Sequence, residues 1–360
     1  MKSIHVPSVF HSPVLRGLPV AIVLLMLAHC AGNPVRDKDP QKALNDMQAL
    51  NAYTQQIASD LLAYVQSTAH SRNPAEINRK RQQLLLTVEN AILNANQVNP
   101  YNGDTRYKDA VVLYLNTMYT ILREDYGRIV DMQEVADQSY DAMEAYLLAR
   151  EKASEKLQEA AVELQAAEKQ FAADYDIQLI QEESETALKL KKAGDVLNYH
   201  NRIFLINFKS YKQELYLLDA LNRNDVSALE QNREKLLDYA EEGLEELQAI
   251  APYDADPSLR DSALANLQFY KSEAEQSVPV LTDFLLKQEQ FEKVRQAFEA
   301  KSDAQRTREE VNRYNLLVDE TNAALRIFNQ TNERLNQQRG QLVDRWNQVN
   351  EAFLRRHIPR

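Results

Sequence analysis

The chain has 360 residues, 44% of them apolar, and its 53 acidic against 42 basic side chains give a formal net charge of −11. An acidic body argues against nucleic acid as a partner and against adhesion to anionic lipid by charge. Seven glycines and one cysteine leave no room for a glycine-rich phosphate loop, a dinucleotide fingerprint, an internal disulfide or a cysteine-built metal site.

In chain order the first feature is an export signal. Lys2 and Arg16 precede the apolar stretch Leu18 to Ala28, which ends in Leu27-Ala28-His29-Cys30. A basic start, an apolar run and a cysteine at its end spell a bacterial lipoprotein signal over residues 1–29, with Cys30 becoming the lipidated N-terminus. His29 departs from the small residue usual before the modified cysteine. The apolar run of about eleven residues would span ~16 Å as a helix, short of the ~20 residues that cross a bilayer. The lipid, rather than a membrane helix or the acidic surface, is therefore the expected attachment. Residues 30–40 read as a flexible tether, since Asn33, Pro34, Asp37, Lys38, Asp39 and Pro40 carry no hydrophobic period. Ala31 and Gly32 lack the aspartate that commonly retains lipoproteins at an inner membrane, which favours the outer membrane.

The body is rich in strong helix formers and poor in breakers, so the expected class is all-α. It also repeats. A shift of 152 positions lays Tyr64–Leu115 on Tyr216–Leu267 without a gap, matching Arg81 with Arg233, Leu84-Leu85 with Leu236-Leu237, Pro100-Tyr101 with Pro252-Tyr253, and Asp104 with Asp256. Start signals coincide as well: Asn73-Pro74 stands opposite Asp225, and Asp104 opposite the Asp256-Pro257 pair. The pattern predicts helices over about 41–69, 74–98, 104–149 and 153–192, repeated at 195–222, 225–249, 256–301 and 303–356. Unit 1 is then 41–193 and unit 2 is 194–360, with Gly194-Asp195 as the seam, and the alternative there is a bent continuous helix shared by both units. Short connections make neighbouring helices antiparallel. The last helix alternates by three and four through Val311, Tyr314, Val318, Thr321, Leu325, Phe328, Asn332, Leu335, Arg339, Leu342, Trp346, Val349 and Phe353. The expectation is an elongated antiparallel helical bundle made of two duplicated four-helix units, with Asn332 and Arg339 setting register.

No catalytic, cofactor or metal site emerges from spacing. Of the histidines outside the signal, His70, His200 and His357 are scattered, and His200 in Leu197-Asn198-Tyr199-His200-Asn201 reads as a satisfied, partly buried side chain. Asp254, Asp256 and Asp261, with Asn102, Asp104 and Asp109 as repeat mates, resemble scattered calcium ligands. Neither set completes a calcium-binding loop, and helix capping accounts for them. Tyr107, Tyr114, Tyr119 and Tyr126 crowd one helix; packing is their plain role, and any that face outward, with Tyr107 and Tyr119 foremost, would form a partner contact. Arg355 and Arg356 at the basic tail oppose the helix dipole and are further candidates for contact, with an acidic envelope polymer or a protein.

Cys30, the tether, the duplicated helical body and the recurrent Pro-Tyr-(Asn or Asp)-x-Asp corners at 100–104 and 252–256 together resemble a family of uncharacterised bacterial surface lipoproteins of the leptospiral type. That resemblance implies an envelope lipoprotein without assigned catalysis. The functional expectation is a lipid-anchored structural or interaction protein presenting helical surfaces to an envelope protein partner. The alternative is a binding module that holds an apolar or peptide ligand between helices. An envelope hydrolase would require a buried, paired Glu or Asp facing a cleft.

Overall fold

The computed structural model describes residues 21–22, 39–70, 74–125, 132, 135–179 and 182–359. Cys30 and nearly all of the signal and tether lie outside them. The helices are α1 (Pro40–His70), α2 (Pro74–Gln97), α3 (Arg106–Thr120), α4 (Tyr140–Asp174), α5 (Glu185–Asn222), α6 (Val226–Ala249), α7 (Ser258–Ser272), α8 (Val278–Glu299) and α9 (Arg308–His357). The protein is an all-α helical bundle. A two-residue antiparallel pairing of Ala21–Ile22 (β1) with Glu182–Glu183 (β2) is the sole sheet among the described residues. No helix there is long and apolar enough to cross a membrane.

The described residues fall into two compact units, Val6–Asn201 with Asn350–Arg360, and Arg202–Val349. In the first, α1 packs on α2, α2 on α3 and α3 on α4. Its core gathers Met47, Ile57 and Leu61 from α1, Leu84 and Val88 from α2, Tyr107, Leu115 and Met118 from α3, and Tyr146, Leu157 and Phe171 from α4. In the second, α6 packs on α7 and α8. Its core holds Phe204 and Phe208 of α5, Leu236 and Ala240 of α6, Leu259 and Leu267 of α7, Leu281 of α8, and Leu335 and Trp346 of α9.

The duplication holds at the level of single residues. At the same shift, α2 maps onto α6 and α3 onto α7 end to end, and the π turn Ile121–Asp125 that follows α3 maps onto the π turn Glu273–Ser277 that follows α7. Burial follows: Ile77, Leu84, Val88, Ala91 and Ala95 are inside, and so are their mates Leu229, Leu236, Ala240, Gly243 and Leu247. The corners between the helices also match. Asn102 and Gly103 have φ of 55° and 71°, and Asp254 and Ala255 have 46° and 61°. In both, the fourth residue closes the turn on the tyrosine, Asp104 N–H to Tyr101 O at 3.0 Å and Asp256 N–H to Tyr253 O at 2.8 Å. Two consecutive left-handed residues inside such a bond make a tight reversal that favours Asn-Gly.

Four expectations about boundaries are corrected. The helix expected over 104–149 is not continuous, because the chain turns at Asp137–Gln138 and Ser139 caps a new helix, its Oγ accepting from Ala142 N–H at 3.1 Å. The break expected near 150 is absent and α4 runs to Asp174. It ends with Asp176 left-handed at φ 55° and Ile177 N–H returning to Ala172 O at 2.8 Å, a C-terminal motif in which aspartate replaces the usual glycine. Gly194, expected at a seam, lies inside α5 between the buried Ala193 and Val196. One helical glycine costs about 1 kcal/mol, and burial of its apolar neighbours outweighs that. The tether's last residues are ordered: Pro40 opens α1, Asp39 Oδ1 accepts from Gln41 N–H, and Asp39 N–H donates to the Tyr101 hydroxyl at 2.9 Å.

Candidate functional site: paired clefts and buried ion clusters

Each unit carries a cleft along the outer side of its π turn. In the first, α3 and the turn contribute Asn116, Thr117, Thr120, Ile121, Glu124 and Asp125, and α4 faces them with Lys156, Glu159, Ala160 and Glu163, around about 620 Å³. In the second, α7 and the turn contribute Gln268, Phe269, Ser272, Glu273 and Ser277, and α9 faces them with Arg334, Leu335, Gln338, Gln341, Leu342 and Arg345, around about 470 Å³. Asn116, Thr117, Thr120, Ile121 and Asp125 are the repeat mates of Gln268, Phe269, Ser272, Glu273 and Ser277. The same backbone feature therefore makes both clefts, and π turns recur at functional positions because they swing side chains off the helical register.

The chemistry of the two clefts has diverged. Four carboxylates, Glu124, Asp125, Glu159 and Glu163, face the first, with Lys156 held by Asp125 at 2.7 Å. Exposed Arg334 and Arg345 line the second, where Arg334 reaches the Ser277 hydroxyl at 3.3 Å. Amides and hydroxyls make up most of the remaining second lining, so neither cleft has the apolar walls of a lipid site.

Beneath the second cleft lies a buried ion cluster. Glu214 of α5 and Glu273 of the π turn both bond the Arg339 guanidinium of α9, Glu214 at 2.7 Å and Glu273 closer still. Their side chains are 5% and 0% exposed. Burial, followed by the charge of Glu273, raises the Glu214 carboxyl well above its ordinary value, and burial also raises Glu273. Two acids against one guanidinium balance when Glu214 keeps its proton and donates it to Glu273, whose Oε2 is otherwise without a partner. The first repeat has Leu62 and Ile121 at these two positions, both inside. The fold thus accepts hydrophobes where the second unit holds charge. The pair answers part of what an acid-base enzyme would need, but one oxygen of each acid is committed to Arg339 and neither side chain is open to solvent. The arrangement turns both acids onto Arg339 inside the core.

The other sequence candidates are distributed as follows. Tyr107 is 2% exposed, and its hydroxyl donates to Asn51, which in turn donates to Glu168 at 3.0 Å. It is a core residue, which corrects its candidacy as a contact. Tyr114 is also buried. Tyr119 stays half-exposed, with the Arg123 guanidinium 5.9 Å from its ring, and Arg355 and Arg356 are exposed. His200 is wholly rather than partly buried: Nε2 lies 2.7 Å from Asn350 Oδ1, and burial lowers its pKa to about 4. Asp104 and Asp256 stand at matched positions one residue before the N-caps of α3 and α7, accepting from Arg106 N–H and Ser258 N–H. No group of three or more His, Cys, Asp or Glu among the described residues is placed to hold a metal ion. Sequence reading missed Glu214 and Glu273, which look like ordinary helical glutamates; their hydrophobic repeat mates were the available signal. Comparison with protein-family models, with curated proteins and with solved structures gives no match.

Proposed function

We propose that this chain is an exported interaction protein, tethered through lipid on Cys30 to a bacterial membrane, the outer one in preference to the inner, which holds segments of an envelope protein partner in its two clefts. The observation that carries the reading is the recurrence of one cleft at repeat-equivalent positions with opposite charge. A partner segment need bind each cleft only weakly, since engagement at one raises the effective concentration at the other, and the anchor raises both. Basic stretches of the partner suit Glu159 and Glu163, and acidic ones suit Arg334 and Arg345.

A photo-crosslinking side chain placed at Gln338 or Glu159 in intact cells is expected to trap one dominant envelope protein, while the same probe at the exposed Leu325, outside both clefts, traps none. Equal capture from all three positions would remove the reading. The tether is tested separately by Cys30→Ser, which should abolish acyl labelling and release the chain from the membrane fraction; unchanged labelling would end the lipid claim.

A further inference from the structure

Arg150 of α4 is 1% exposed, and its Nε, Nη1 and Nη2 are buried with no carboxylate among the described residues bonded to them, the neutral Tyr146 side chain being the hydrogen-bonding neighbour of the guanidinium. Buried charges are ordinarily paired, because an unpaired one forfeits its hydration and gains nothing in return. The contrast within this chain is direct, since Arg339 faces two carboxylates. Polar groups within electrostatic reach of Arg150 include Tyr146 on its own helix, Tyr64 of α1 and His200 of α5, none of which brings it a negative charge. Arg81 also acts on Tyr64, and Asp137 on Tyr146. No carboxylate among the described residues forms an ion pair with the guanidinium, and His200, with both ring nitrogens on Asn201 and Asn350, adds no negative charge. The guanidinium carbon lies 5.5 Å from the Tyr146 ring centroid. The ring and its hydroxyl are neutral, so the charge of the guanidinium stays uncompensated, and planar or tetrahedral oxyanions fit its fork of N–H donors.

We infer that Arg150 anchors a buried site, among α1, α4 and α5 of the first unit, for a small ligand bearing a carboxylate or a phosphate. The site is independent of the clefts and of the tether.

The test uses the full chain refolded into a zwitterionic buffer free of oxyanions, at constant chloride. Thermal midpoints are read with inorganic phosphate and, separately, with acetate. A saturating oxyanion is expected to raise the midpoint by about 5 °C. A rise with phosphate alone assigns the site to a phosphate group, and a rise with acetate alone to a carboxylate. Arg150→Met should lose the rise while melting, without oxyanion, no lower than the parent, since it removes an uncompensated charge. Arg150→Lys, which keeps the charge but not the fork, should weaken the response at least tenfold in ligand concentration. No rise in either arm, or the same rise in Arg150→Met or Arg150→Lys, would overturn the site.

Discussion

Ala255 sits at φ 61°, in the left-handed region that costs an L-residue roughly 1–2 kcal/mol, whereas the first repeat places Gly103 at the same corner. Glycine gives back part of that gain through its own backbone entropy. Ala255→Gly should therefore stabilise the second unit by about 0.5–1 kcal/mol, read as a higher urea midpoint at unchanged slope; a loss would mean the corner is not under strain. His200 sets a pH dependence. Its pKa is about 4 in the fold against about 6.5 when unfolded, so the unfolded chain binds the extra proton between these values. Stability is complete above about pH 6.5 and falls as pH drops toward 4, by roughly 3 kcal/mol at about 1.36 kcal/mol per unit. Glu214 has the opposite sign, because its raised pKa makes the folded state the better proton binder and costs stability as pH rises above its unfolded value. Unfolding curves of the parent and His200→Gln across pH 4–7 separate the two, since Glu214 is common to both. The difference should grow in the variant's favour as pH falls, and parallel curves would refute the assignment to His200.

At the scale of elements, what the sequence made legible were the features written in capping chemistry and in the repeat. Asp225 accepts from Ala228 N–H at 3.0 Å and opens α6 where expected, and the matched Asp104 and Asp256 stand one residue before the N-caps of α3 and α7 and accept from Arg106 N–H and Ser258 N–H. The breaks at 137–139 and after Asp174 carry no glycine or proline, and the chain uses aspartate and asparagine in the left-handed slot instead, as at Asp176 and Asn224. Such breaks are illegible to a reading that waits for glycine. The π turns are equally silent, since Ile-Leu-Arg-Glu-Asp and Glu-Ala-Glu-Gln-Ser share no residue at any position. Of the site, the candidates Tyr119, Arg355 and Arg356 were visible as surface groups, while Tyr107 looked like one and went inside because Asn51, itself held by Glu168, satisfies its hydroxyl. Packing between helices also decides Gly243, mate of Ala91. A methyl there would meet Leu267 Cδ1 at 2.8 Å and Ile206 Cγ2 at 2.9 Å. Gly243→Ala is expected to cost about 1 kcal/mol despite better helix propensity, because the buried Leu267 and the half-buried Ile206 must both shift. A gain in the denaturation midpoint would show that the two side chains give way freely.

For the molecule as a whole, duplication supplies an internal control for every specialised residue. Leu62 and Ile121 show that the scaffold folds with hydrophobes where Glu214 and Glu273 stand, so the repeat's fold does not itself require charge at these positions. Glu214→Leu exchanges a protonated acid for the residue of the first repeat and leaves Glu273 and Arg339 balanced. Its effect at pH 8 should stay within about 1.5 kcal/mol of the parent. Arg339→Leu leaves two buried acids facing each other with no cation. At pH 8 it should cost about 3–5 kcal/mol, and less at pH 5, where protonation relieves the pair. Urea midpoints of both variants at the two pH values decide the matter. If Glu214→Leu costs as much as Arg339→Leu, both acids are ionised in the parent and the shared proton is refuted. If Arg339→Leu is mild at pH 8, the cluster is dispensable, and the divergence of the two units lies in the exposed charges of their clefts alone.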